Sequence, residues 1–132
     1  MPVKVARSPG ARSKSRLHSK NKAKLIARLA ADKKAEDVIV LDIGKVANIC
    51  EYFVICNGAS DRQVRAIAEG IEVGLKEKKF RIFHREGLSE GVWALLDAGD
   101  VIAHIFHKES RGFYALEHLW QDAKRISWNS KT

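Results

Sequence analysis

The chain has 132 residues, of which 24 are basic and 16 acidic, with a net charge of +8 and only two cysteines. That length suits one domain around a single core. Two cysteines are too few for a disulfide scaffold, and their six-residue gap inside an apolar stretch suits buried thiols better than a bridge or a zinc site; no apolar run approaches membrane-spanning length, so the expectation is a soluble protein with buried free thiols at Cys50 and Cys56 in a reducing compartment.

The charge is unevenly placed. Eight basic residues and no acidic ones precede Leu25, which leaves 16 of each sign in the remainder. Residues 1–22, rich in Ser, with Gly10, Pro2 and Pro9 and no apolar periodicity, read as a disordered basic tail, and residues 23–132 as one domain. The tail's first reading is a solubilising arm. Its sharper readings are a tether to nucleic-acid phosphates or an organelle transit peptide.

From Lys22 the pattern predicts a helix to about Lys33 or Lys34, with Leu25, Ile26, Leu29 and Ala30 as its apolar stripe. Val38–Ile43 and Tyr52–Asn57 are short β-branched or aromatic runs, read as strands joined in a hairpin through a loop holding Gly44 and Asn48. Ser60 followed by Gln63 matches a capping box, and Val64, Ile67, Ala68, Ile71 and Leu75 continue at helical spacing, so a helix is expected over 61–78. The Gly58-Ala59-Ser60 turn could also hold a phosphate, but a serine N-cap without a ligand is the commoner case.

Phe80–Phe83 reads as a short strand and His84–Gly87 as a polar loop. Val92–Leu96 and Val101–Phe106 are two further strands, joined by Asp97-Ala98-Gly99-Asp100, a tight turn in which Gly99 can take positive φ. Trp93 and Leu95 point to one side of their strand; Val92, Ala94 and Leu96 point to the other. If the first pair faces away from the helix over 61–78, it forms an apolar patch suited to a partner.

His104 and His107, three apart on a strand, face opposite sides and cannot share a metal ion. Asp97 and Asp100 could act in acid/base work or hold Mg²⁺, though aspartates in such a turn more often cap their own backbone. No nucleophile and base stand together, so catalysis is the minority reading. Ser110 opens a last expected helix with Phe113, Leu116, Leu119 and Trp120 on its core side. Tyr114 and Glu117 lie off that stripe, an exposed aromatic beside an acid, as protein-binding surfaces have.

The ordered blocks between residues 37 and 124 resemble the ribosomal silencing factor, or Iojap, family. They are Leu41-Asp42; Tyr52-Phe53-Val54-Ile55-Cys56 with Gly58, Ser60 and Gln63-Val64-x-Ala66-Ile67; Glu86-Gly87; Trp93-x-Leu95-Leu96-Asp97-x-Gly99-Asp100-Val101; His104-Ile105-Phe106; and Arg111-x-x-Tyr114-x-Leu116-Glu117-x-Leu119-Trp120. Departures from the family pattern are Glu51 for Asp, Ala98 for Tyr, and Phe83-His84 without the proline that often precedes Glu-Gly.

The resemblance implies an α/β fold of α+β type, a mixed sheet, five-stranded by the count above, flanked by helices and related to nucleotidyltransferases without their catalytic residues. It implies a non-enzymatic role without cofactor or metal: binding the large ribosomal subunit through ribosomal protein L-fourteen, blocking subunit association and repressing translation when nutrients are short. Partner-binding residues would be Trp93, Leu95, Asp97 and Tyr114, then Asp100 and Glu117, with His104 and Arg111 as support. A homodimer when free, ribosomal RNA contact by the tail, and a bacterial cytoplasmic location (organellar if the tail is a transit peptide) complete the expectation. The competing classes are a nucleotidyltransferase-like Mg²⁺-dependent enzyme, which needs Asp97 and Asp100 near the Gly58 turn, and an RNA-binding module, which the neutral domain disfavours.

Overall fold

The computed structural model describes residues 12–111 and 121–129, apart from the side chains of 12–16. In chain order the elements are helix α1 (Arg12–Asp32), strands β1 (Glu36–Asp42) and β2 (Tyr52–Gly58), helix α2 (Asp61–Glu77), and strands β3 (His84–Glu86), β4 (Trp93–Asp97), β5 (Val101–His107) and β6 (Lys124–Ile126). The strands form one sheet in the order β3-β4-β5-β2-β1-β6. All neighbours are antiparallel except β2 and β5, which run parallel, so the sheet is mixed, with six described strands where five were expected.

β2 is buried along its whole length, as its unbroken apolar run requires of a strand covered on both faces. Both described helices pack on one face. Ala23, Ile26, Ala27 and Ala30 of α1 and Val64, Ile67, Ala68, Ile71 and Leu75 of α2 share a core with Val54, Cys56, Ala94, Leu96, Ala103 and Ile105. The other face is a second core of Leu41, Ile43, Cys50, Phe53, Ile55, Leu95, Ile102 and Phe106. Cys50 and Cys56 therefore lie on opposite faces as free thiols, and burial pushes the Cys56 thiol up to about 12 against the opposing pull of Arg111.

α2 begins as its capping residues predict. Ser60 has extended backbone (φ −148°, ψ 167°) and its hydroxyl accepts from Gln63 N–H at 3.1 Å. The Gln63 side chain accepts from Ala59 N–H, one residue before the cap, and donates to the Lys33 carbonyl at 2.9 Å, tying the start of α2 to the end of α1.

Three boundaries differ from the sequence reading. α1 starts at Arg12, so residues 12–22 of the expected disordered tail are helical. The reason is a stripe longer than its apolar members: Ser19, Lys22 and Ala23 are buried on the same side as Ile26, Ala27 and Ala30, at spacings of three and four. The third strand is His84–Glu86 rather than Phe80–Phe83: Phe80 N–H turns back to the Leu75 carbonyl at 2.8 Å, and Phe83 is 59% exposed. β6, a Lys-Arg-Ile run with no alternating pattern, pairs with β1, and Trp128 just beyond it donates to the Val38 carbonyl at 3.0 Å. The last helix expected from Ser110 onward falls mostly outside the described residues.

Candidate docking face

On the sheet face turned away from α1 and α2, the β4–β5 pairing brings Trp93 opposite Phe106 and Leu95 opposite His104. The Trp93 indole stacks on Phe106 with centroids 5.1 Å apart and planes 29° apart. Its Nε1–H donates to His104 Nδ1 at 3.1 Å. Phe53 of β2 meets the imidazole edge-on at 4.7 Å. Trp93 keeps part of its surface open, and Val92 beside it is 40% exposed. The alternation along β4 thus sends Trp93 and Leu95 away from the described helices and Ala94 and Leu96 toward them.

His104 is 1% exposed, and burial pushes its pKa down to about 3. It is a neutral ring. Because Nδ1 accepts from the indole, the ring proton sits on Nε2, and Nε2 is buried with no hydrogen-bond partner among the described residues. His107 serves its own turn, with Nδ1 accepting from Glu109 N–H at 3.2 Å. Among the described residues no group of three potential ligands could hold a metal ion.

The other expected contact residues are placed less openly. Leu95 is 1% exposed, so the expectation that it stands open as an anchor gives way to a supporting place beside Trp93. Asp97 is 4% exposed and its Oδ1 accepts from Gly99 N–H at 2.7 Å, the turn-capping role common for such aspartates. Gly99 has φ +93°. Burial raises the Asp97 pKa, the Gly99 N–H and His84 pull it back, and Asp100 pushes it up again, leaving it above the ordinary carboxylate value.

Asp100 is bound inward as well. It accepts from Lys22 Nζ at 2.7 Å and from the Ser19 hydroxyl at 2.5 Å, while Lys22 also donates to the Ala98 carbonyl at 3.2 Å. Burial raises the Asp100 pKa, but the hydrogen bonds from Lys22 and Ser19 and the Lys22 charge outweigh it and bring it below its ordinary value. Ser19 and Lys22 were missed in the sequence because only apolar residues were counted on the α1 stripe. Arg111 lies at the end of the sheet away from Asp97 and Asp100, the end that holds Trp93 and Phe106, donating to the Asp37 carbonyl at 2.8 Å and to the Asn57 side chain. Tyr114 and Glu117 lie outside the described residues.

The nucleotide-site geometry does not form. β2 and β5 run parallel, with Tyr52 beside Val101 and Gly58 beside His107. Asp97 and Asp100 stand at the Tyr52 end, where the Asp100 carbonyl accepts from Glu51 and Tyr52 N–H. The Gly58 turn is at the other end of a seven-residue strand, roughly 20 Å away. Gly58 has a packing reason instead: a Cβ there would come within 2.9 Å of the Val64 nitrogen at the start of α2.

The family model described as "Ribosomal silencing factor during starvation" matches residues 16–132. A Bacillus subtilis protein named ribosomal silencing factor RsfS is 42% identical over 107 residues, covering 81% of this chain and 91% of that protein. The chloroplastic protein Iojap of Zea mays is 33% identical over 76% of this chain and 44% of its own length. A solved structure from Chromobacterium violaceum superposes with a TM-score of 0.75 at 34% identity, covering 84% of this chain and 92% of that one.

Proposed function

The chain belongs to the ribosomal silencing factor family, and from that premise we propose that it docks on the large ribosomal subunit through ribosomal protein L-fourteen, keeps the small subunit from joining, and so represses translation under nutrient limitation. Inhibition is steric and needs no chemistry from the protein. The relatives carry the name of a regulator, and no enzymatic activity is indicated by it.

The observation that carries the reading is Trp93, held partly open on the sheet face that neither described helix covers. Trp93 is assigned as the central anchor, Tyr114 as a second anchor, and Leu95 as support from the buried side. Asp97 and Asp100 are engaged within the protein, so Glu117 is assigned the pairing with basic side chains of the partner. The basic N-terminal stretch adds contacts to ribosomal RNA phosphates. No described helix is long and apolar enough to cross a membrane.

Co-sedimentation with purified large subunits tests this, with free ribosomal protein L-fourteen as competitor. A truncated central anchor commonly costs ~2 kcal/mol or more, so Trp93→Ala should weaken binding by tens of fold. Wild-type pelleting of a folded Trp93→Ala protein would remove the docking face from the account. Absence of competition by the free ribosomal protein would remove the partner. Deleting residues 1–11, which removes Lys4 and Arg7, should lower the salt slope of binding by up to about two, and an unchanged slope would exclude an RNA contact by those two residues.

A further inference from the structure

A partly exposed tryptophan is free to turn its N–H to water, and several indole orientations then compete. Here one is selected. His104 presents Nδ1 to the indole at 3.1 Å, while its own ring is fixed edge-on by Phe53 at 4.7 Å and lies nearly parallel to Phe106, 11° off at 6.4 Å. Phe106 also carries the stacked indole, so the two rings are held by the same neighbour.

The imidazole is an expensive way to fill this place. Its Nε2–H is buried without a partner among the described residues, a desolvation cost that an apolar side chain of similar size would avoid. The hydrogen bond from Trp93 is the one polar contact of the ring among the described residues, and it is the feature a leucine or phenylalanine could not supply.

We propose that His104 is the positioning residue of the docking face: it holds the Trp93 indole in its binding orientation before the partner arrives. The proposal rests on the docking reading above and adds the means by which the anchor is made ready. Immobilising a rotamer-rich side chain in advance removes an ordering cost from association. Because burial holds the His104 pKa near 3, Nδ1 stays a lone-pair acceptor at neutral pH.

The test combines NMR with the subunit-binding assay. In ¹⁵N-labelled wild-type protein, a through-hydrogen-bond coupling should join Trp93 Nε1 to His104 Nδ1, with the indole resonance assigned by its loss in Trp93→Phe. His104→Leu keeps bulk and removes the acceptor; its indole proton should exchange faster, and its affinity for large subunits should fall about two- to tenfold. His104→Asn restores an oxygen close to the Nδ1 position and should recover most of both. Absence of the coupling, unchanged indole exchange in His104→Leu, or equal impairment in the Leu and Asn variants overturns the proposal. If His104→Leu binds like wild type while Trp93→Ala does not, positioning is refuted and docking stands. If Trp93→Ala also binds like wild type, the docking reading fails and takes the positioning role with it.

Discussion

Replacing His104 by leucine should change how stability responds to acid. The ordinary histidine value of 6.5 applies to the unfolded chain, whereas burial holds the folded value at about 3. Between those limits the unfolded chain binds a proton that the folded protein cannot, so stability falls as pH falls. At about 1.36 kcal/mol per pH unit, lowering the pH from roughly 7.5 to 5 costs the wild type about 2 kcal/mol through this one ring. Asp97 acts in the opposite sense, since its raised folded pKa makes the folded state the better proton binder as pH drops. It is present in both proteins, so subtracting the His104→Leu curve removes its contribution. The assay is urea denaturation at half-unit pH steps on wild type and variant, with the slope against denaturant compared to confirm equal unfolding. The difference should grow steadily below about pH 6.5; a flat difference from pH 7.5 to 5 would refute the claim that His104 is held neutral by burial.

Other perturbations separate the joints of the fold. Lys22→Met keeps the buried stem but leaves Asp100 without its cation; with side-chain exposures of 9% and 17% in that pair, a loss of roughly 3 kcal/mol is expected by denaturation, and a loss under about 1 kcal/mol would mean the pair acts like a surface bridge. Gly87→Ala places a Cβ 1.9 Å from the Trp93 carbonyl oxygen at φ +75°, so backbone must move and the melting temperature should drop by a loss exceeding about 2 kcal/mol. Gly70→Ala meets only the flexible Lys33 side chain; with helical glycine costing about 1 kcal/mol relative to alanine, it should be neutral or stabilising, and a large loss there would contradict the packing described. Ser60→Ala should cost about 1 kcal/mol through the lost cap of α2, read in the same melts.

The legible parts of this fold were those written in apolar periodicity or turn chemistry. α2, the hairpin of β1 and β2, and the hairpin of β4 and β5 with positive φ at Gly99 follow directly from their residues. What escaped was decided at a distance. Ser19 and Lys22 look like tail residues until Asp100, some eighty positions on, gives them a buried partner. β6 is a strand because β1 has an edge to offer, and its Lys-Arg-Ile run carries no signal of that. The sequence placed Trp93 and Leu95 on one face, yet it could not grade their exposure, because cover comes from neighbours across the sheet. His104 was assigned a supporting role without its contact; the Trp93 hydrogen bond depends on the β4–β5 register.

The parallel pairing of β2 with β5 has a kinetic consequence. Each antiparallel hairpin can close locally as soon as its own turn is made, but the aromatic face joins Phe53 from one hairpin to His104 and Phe106 from the other. Those halves meet only when Tyr52 finds Val101 across the whole intervening helix and edge strand, a closure whose entropy is lost before any contact repays it. Formation of the sheet centre is therefore the expected slow step of folding. A chain still emerging from the ribosome has no completed aromatic face until β5 has been synthesised, so the surface proposed for docking forms late.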